Sequence, residues 1–201
     1  MLKMAGQRSS SKSRSTAETS IELSIDLDGS GRTEIDTGIP FYDHMLDQLG
    51  RHGSFDLSVK AEGDIHIDSH HTVEDTAIVL GQAFGEALGD KVGVRRFASG
   101  LYPLDEALVE VALDLSGRPF FAWNVEMPEA IPLGTPPFDP SLAEHAMHSF
   151  ATNAGITLHV SLKAGRNVHH IIEASFKGLA RCLKDAVRIE GSDVPSTKET
   201  L

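Results

Sequence analysis

"HHTVE" at His70–Glu74 and "HHIIE" at His169–Glu173 are the same HHxxE pattern, separated by 99 residues. On an α-helix, residues at i and i+3 or i+4 share a face. His70 and His71 therefore both lie within reach of Glu74, and His169 and His170 within reach of Glu173. One HHxxE is weak evidence. Two copies in a chain with ten histidines imply an internal duplication. The flanking residues agree. Glu18 lies eight residues before Asp26, and Glu106 eight before Asp114. His44 lies 26 residues before His70, and His145 lies 24 before His169.

The patterns between these points repeat in order. Residues 20–28, "SIELSIDLD", alternate apolar and polar as a strand does, and "GSG" turns into "RTEID" as a short partner strand. A helix is expected over 41–51 after Pro40, a strand over 54–63, and a helix over 70–89 with Gly89 as its C-cap. The second half reads the same way. "DEALVEVALDLSG" is a strand and "PFFAWNVEM" its partner. A helix follows over 141–154, then the strand "GITLHVSLKAG" and the helix "NVHHIIEASFKGLARCLKDAV". The Pro-rich stretch at 129–141 is an insertion in the second copy. The expected organisation is a tail without order over 1–13, a first half-repeat over 14–103, a second over 104–190, and a C-terminal segment over 191–201. The fold class is α+β, an internally duplicated unit of strands plus two helices per half.

The 201 residues suffice for one substantial core, and 40% hydrophobic and 23% charged residues are ordinary for a globular chain. A net charge of −11 argues against a nucleic-acid or anionic-membrane partner, although a local basic pocket can still hold phosphate. The single cysteine, Cys182, sits in an apolar helical pattern and reads as a reduced core residue. No apolar run approaches a membrane span, and the start, "MLKMAGQRSSSKSRSTAE", reads as a short tail rather than a targeting segment, so a cytoplasmic location is expected.

Adjacent helical residues point about 100° apart. His70 and His71 are thus placed to serve two different ions rather than one, and so are His169 and His170. With His44 and His145 the duplicated set holds six histidines and two glutamates, or four protein ligands for each of two ions. An octahedral ion would keep two open positions. Imidazole plus carboxylate without thiolate suits Zn, Mn, Fe or Co, and open octahedral sites favour Mn²⁺ or Fe²⁺. The remaining histidines, His52, His66, His148 and His159, break the symmetry. Among basic residues, Arg95 and Arg96 in "GVRRFA", Arg118 in "DLSGRP" and Lys198 in "VPSTKE" are the candidates for phosphate. Two other classes fit part of this pattern: a dinuclear phosphoesterase or similar metalloenzyme on a phosphorylated substrate, and a non-catalytic metal-binding protein.

The segments "RSTAETSI", "TGIPFYDHMLDQLGRHGSFDL", "IDSHHTVEDTAIVLG", "ALGDKVGVRRF", "PLDEAL", "GRNVHHIIEASFKGLAR" and "VPSTK" together resemble the imidazoleglycerol-phosphate dehydratases of histidine biosynthesis. The resemblance spans about residues 14–198 and fits the single-function form. It implies helices packed between two β-sheets. It implies dehydration of D-erythro-imidazole glycerol phosphate to imidazole acetol phosphate, two Mn²⁺ per active site, and a 24-subunit shell with sites between subunits. Carried over by motif, the metal ligands are His44 (in the substrate-free enzyme), His70, His71, Glu74, His145, His169, His170 and Glu173. The substrate phosphate and its surroundings fall to Arg96, Arg118, Ser196 and Lys198, with Gln48 and His52 also in contact with substrate. Glu18 matches the acidic residue of the acid/base step, with Glu74 and Glu173 open to a dual role. The chain departs from the family pattern at "AMHSF" (146–150) and at Glu199, where glycine is common; the latter puts a negative charge beside Lys198.

Overall fold

The computed structural model describes residues 8–128, 131–198 and 200. In the first half, β1 (Ser9–Ser15), β2 (Thr19–Asp26), β3 (Thr33–Asp36) and β4 (Asp56–Gly63) form a four-stranded sheet in the order β1-β2-β4-β3. Helix α1 (Pro40–Gly53) follows β3, and α2 (His70–Leu88) follows β4. The second half repeats the plan with β5 (Phe97–Leu104), β6 (Ala107–Asp114), β7 (Phe120–Asn124), α3 (Ser141–Ala154), β8 (Thr157–Ala164) and α4 (Val168–Ala186). Its sheet order is β5-β6-β8-β7, the same topology. The four helices pack between the two sheets, as the fold class requires.

Alternation decides which face of each sheet meets the helices. Ile21, Leu23 and Ile25 of β2 are buried, and so are Leu57 and Val59 of β4, while Glu22, Ser24, Ser58 and Lys60 face outward. Val109, Val111 and Leu113 of β6 and Leu158 and Val160 of β8 do the same for the second sheet. Both inner faces and the apolar stripes of the helices join in one continuous core.

The structure corrects three expectations. The tail over 1–13 is ordered from Ser9: β1 pairs antiparallel with β2 from Ser20 to Asp26, Ser10 is buried, and Lys12 and Arg14 form ion pairs with Glu86 and Asp75 of α2. A polar strand can hold an edge through its ladder and its ion pairs, with few apolar residues. Residues 1–7 lie outside the described residues. The boundary at 103 falls inside β5, so the second half opens with a strand equivalent to β1. Finally, β3 and β7 are not hairpin partners of β2 and β6. They pair in parallel with β4 and β8. A parallel pair needs a crossover, which α1 and α3 supply.

The helices pair across the halves. Helix α1 packs on α4, and α2 packs on α3. Both pairs run parallel. His44 meets Glu173 near the start of α1 and α4, and the Lys184 Nζ donates to Ser54 Oγ (2.6 Å) near their ends. In the other pair His145 meets Glu74 at the start, and Gln82 meets Asn153 about two turns further on. The α2–α3 approach is close at Gly81, where an added Cβ would lie 2.6 Å from the Phe150 carbonyl oxygen. At Gly85 the nearest atom, the Ala154 oxygen, is 3.6 Å away.

This difference gives a paired test. Alanine favours helix over glycine by about 1 kcal/mol. Gly85→Ala keeps that gain and stabilises the protein. Gly81→Ala meets backbone that cannot yield and destabilises it by about 1–3 kcal/mol. Urea unfolding of the two variants should move the midpoint in opposite directions; equal shifts would refute the close approach.

Candidate metal centre

Each HHxxE motif opens a helix, and a side chain two residues upstream caps it. The Asn167 carboxamide oxygen accepts from the backbone N–H of His169 (2.9 Å) and His170. Asp68 does the same for His70 (2.7 Å), while the Ser69 hydroxyl turns away to Pro137 O. The caps satisfy N–H groups that the first turn leaves without helical partners, and so fix where the histidines start.

Two clusters result, and each takes residues from both halves. His169 Nε2 and His44 Nε2 lie 3.0 Å and 3.2 Å from Glu173 Oε2. His70 Nε2 lies 3.7 Å from Glu74 Oε2, and His145 Nε2 lies 3.3 Å from Glu74 Oε1. Within each trio the ligand atoms all lie within 4.8 Å of one another. The first trio joins α1 to α4 and the second joins α3 to α2. The donor set fits a divalent ion: imidazole nitrogens and a carboxylate converge, and the His145 Nε2 is buried without a hydrogen-bond partner.

The carboxylates differ. Burial raises the Glu173 carboxyl, but bonds from Lys177 (2.5 Å), His44 and His169 outweigh it and hold the group at about 2. At the position equivalent to Lys177, four residues past Glu74, the first half has Ile78.

His71 and His170 stand outside both trios. Their rings lie 5.9 Å and 6.1 Å, near-perpendicular, from those of His70 and His169. His71 Nδ1 meets Asp64 Oδ2 at 2.9 Å, with Glu18 Oε2 at 3.8 Å. His170 Nδ1 meets Glu106 Oε2 at 2.7 Å, with Asp105 Oδ2 3.9 Å from its Nε2. These bonds raise both imidazoles above their ordinary value, and the bonds from His170, Asn167 and Arg166 hold Glu106 at about 2. The eight expected ligands thus divide as three, three and two single histidines. Asp64, Glu106 and Lys177 were not expected at the site. The symmetry between Glu18 and Glu106 was a signal for Glu106 alone.

The other expected residues fall in two places. Gln48 bridges His44 (3.4 Å) and His52 (3.1 Å) along one face of α1, and burial followed by Lys177 and Arg181 lowers the His52 imidazole. Arg96, in the left-handed region at φ 75°, forks onto Asp114 at 2.7 Å and 3.1 Å and donates to Pro195 O, which ties the segment carrying Ser196 to the second sheet. Lys91 is held below its ordinary value by burial, with Asp114 opposing and Arg96 and Arg118 adding, so these three cations share one neighbourhood. The Lys198 N–H donates to Ser196 Oγ (3.2 Å). Glu199 lies outside the described residues. Arg96 N–H donates to Ala186 O, 13 residues beyond Glu173 on α4. At 1.5 Å per residue that places the basic cluster about 20 Å from the Glu173 trio.

A duplicated α+β chain with two cross-half His/Glu trios defines the class: a fused-repeat protein with candidate divalent-ion sites between its halves. Residues 37–183 match the profile of the family Imidazoleglycerol-phosphate dehydratase. The relative of that name from Acidothermus cellulolyticus is 55% identical over 96% of this chain and 93% of its own, and that from Methanopyrus kandleri 49% identical over 98% of each. The crystal structure of the Staphylococcus aureus dehydratase superposes with a TM-score of 0.80 at 34% identity, covering 92% of this chain and 99% of that one. The chain belongs to the imidazoleglycerol-phosphate dehydratase family. It is accordingly a carbon–oxygen hydro-lyase of histidine biosynthesis.

The charge on Glu173 makes a pH test. Its folded value lies below the ordinary 4.5, so its contribution to stability is present above that pH and is lost as pH falls towards 2. Chelator-treated protein should lose stability over that window, and Glu173→Gln should flatten the slope. An unchanged slope in urea titrations would sink the assignment.

Proposed function

We propose that the chain converts D-erythro-imidazole glycerol phosphate to imidazole acetol phosphate and water with two Mn²⁺ per active site. The observation that carries this reading is the pair of cross-half trios, each accompanied by one further histidine aimed elsewhere. In this reading His44, His169 and Glu173 hold one ion and His70, Glu74 and His145 the other. His71 and His170 complete the ion sites of neighbouring subunits. Bound ions supply Lewis-acid pull on the substrate's imidazole nitrogens and a template for its orientation.

The remaining work falls to side chains. The hydroxyl on the carbon bonded to the imidazole ring leaves as water, the proton on the neighbouring hydroxyl-bearing carbon leaves to a base, and the resulting enol tautomerises to the ketone. Glu18 is the acid/base residue: its carboxylate is 55% exposed, 3.8 Å from His71 Nδ1, at the end of a turn closed by Thr16. Glu74, the more open of the two trio carboxylates, combines ligation with proton handling, whereas Glu173, held at about 2 by Lys177, His44 and His169, serves as a ligand. Arg96, Arg118, Ser196 and Lys198 take the phosphate, with Arg matched to its oxygens, and Gln48 and His52 contact the substrate.

Self-association into a 24-subunit shell supplies what one chain lacks. A substrate the size of a sugar phosphate cannot bridge the about 20 Å between the basic cluster and the Glu173 trio, counted along α4. The outer faces of the sheets support a subunit contact. That of β2 and β4 presents Ser20, Glu22, Ser24, Ser58 and Lys60, whereas the second sheet exposes Phe97, Leu101 and Phe120. Phe97 and Phe120 stand in one row across that sheet, with Asp114 and Thr157 between them. No described helix is long and apolar enough to cross a membrane, and a cytoplasmic location follows from the pathway.

Chelator-stripped protein should turn over imidazole glycerol phosphate only after Mn²⁺ is restored, without release of inorganic phosphate. Glu18→Gln should keep the wild-type metal content and lose turnover by about 10²–10⁴-fold, the usual worth of a positioned acid/base. Phosphate release, or near-normal turnover in Glu18→Gln, would overturn the reading.

A further inference from the structure

Glu106 and Asp64 occupy the same role in the two halves through different parts of the fold. Glu106 enters at the start of β6, and Asp64 follows the end of β4. Each places one carboxylate oxygen on the Nδ1 of a histidine that stands outside the trios: Glu106 Oε2 on His170 at 2.7 Å, and Asp64 Oδ2 on His71 at 2.9 Å. An ionised carboxylate only accepts. The proton of each pair therefore sits on Nδ1, and the lone pair of the neutral ring is left on Nε2, the atom free to bind a metal.

The Glu106 geometry is fixed more tightly than a single contact requires. Its Oε1 accepts from the backbone N–H of Asn167 (2.7 Å) and Arg166 (3.1 Å). Those donors come from the three-residue connection between β8 and α4, the same segment whose Asn167 side chain caps the helix. One carboxylate thus ties the connection, the helix start and the ring of His170 together. With Oε1 committed to two N–H groups, only Oε2 can face His170.

We propose that Glu106, with Asp64 as its first-half counterpart, is a positioning residue that selects the metal-binding tautomer of His170. The proposal rests on His170 being a ligand, and the test separates the two claims. In Glu106→Gln the backbone donors keep the amide oxygen, so the NH₂ group meets His170. The ring must then accept at Nδ1 and carry its proton on Nε2, the wrong tautomer for ligation. Glu106→Ala leaves the ring unconstrained, free to adopt either form.

The experiment is equilibrium Mn²⁺ affinity by chelator competition on the assembled protein, with thermal unfolding run alongside. His170→Ala should weaken binding, as a ligand loss does. Glu106→Gln should weaken it by about 10–100-fold, the usual effect of losing an outer-shell partner, at near-wild-type thermal stability. Glu106→Ala should weaken it less, although it is the less conservative change. A purely structural carboxylate predicts the reverse order, with alanine worse than glutamine. Weakening by His170→Ala with unchanged affinity in Glu106→Gln, or alanine worse than glutamine, overturns the positioning role alone. Unchanged affinity in His170→Ala overturns the ligand assignment and the positioning role with it.

Discussion

Two parallel helix pairs, α1 on α4 and α2 on α3, set the geometry on which the candidate centre depends. Each brings the first turns of helices from opposite halves side by side. A helix turn rises 5.4 Å, and the donor atoms of a trio span no more than 4.8 Å. A slip of one turn would therefore separate His44 from Glu173 or His145 from Glu74. The close contacts at Gly81 and the packing of Gly178 against Val111 and Tyr102 oppose such a slip, because they leave no room for a different seating of the helices. Neither half could form a trio alone, since each HxxxE pair finds its third member on the other half. The duplication is thus the means by which the site is made, as well as a record of its origin.

The two trios share a plan but not a chemistry. Lys177 sits one turn beyond Glu173 and pairs with it, and Arg181 continues the same basic face near His52. Ile78 stands where the first half would need the equivalent lysine. Glu173 is 12% exposed in its side chain and Glu74 is 36%. One carboxylate is buried, partnered and firmly ionised, while the other is more open and meets no lysine or arginine among the described residues. The chain as a whole bears a charge of −11, so such local cations matter more than the net charge.

Much of this was legible in the sequence because helix and strand periods are strong signals where one face is buried. The double HHxxE, the helix at 141–154 and the Gly89 cap were read from pattern alone and stand as read. What pattern could not supply was partner choice. β3 and β7 look like hairpin strands, and only the crossover through α1 and α3 makes them parallel neighbours of β4 and β8. β1 is wholly Ser, Lys and Arg, a composition that signals disorder unless a neighbouring ladder and ion pairs hold it. β5 carries Gly100 and Pro103, which mask a strand. The pairing of trios across the halves was invisible for the same reason. Periodicity places a residue on a face and does not say which helix that face meets.

Divergence between the halves is sharpest where each second histidine is oriented. The connection from β4 to α2 is six residues and supplies Asp64 to His71. The connection from β8 to α4 is three residues, too short for that, so Glu106 takes the task and is locked by the backbone of Arg166 and Asn167. Glu18, the sequence counterpart of Glu106, is thereby released. It makes no hydrogen bond through its carboxylate among the described residues and remains half exposed beside His71. A carboxylate held at about 2 by three donors is a poor base, because the bonds that stabilise its charge must weaken before it takes a proton. Under the proposed function, the longer loop leaves Glu18 free to face the substrate, while the shorter loop holds its counterpart Glu106 against His170.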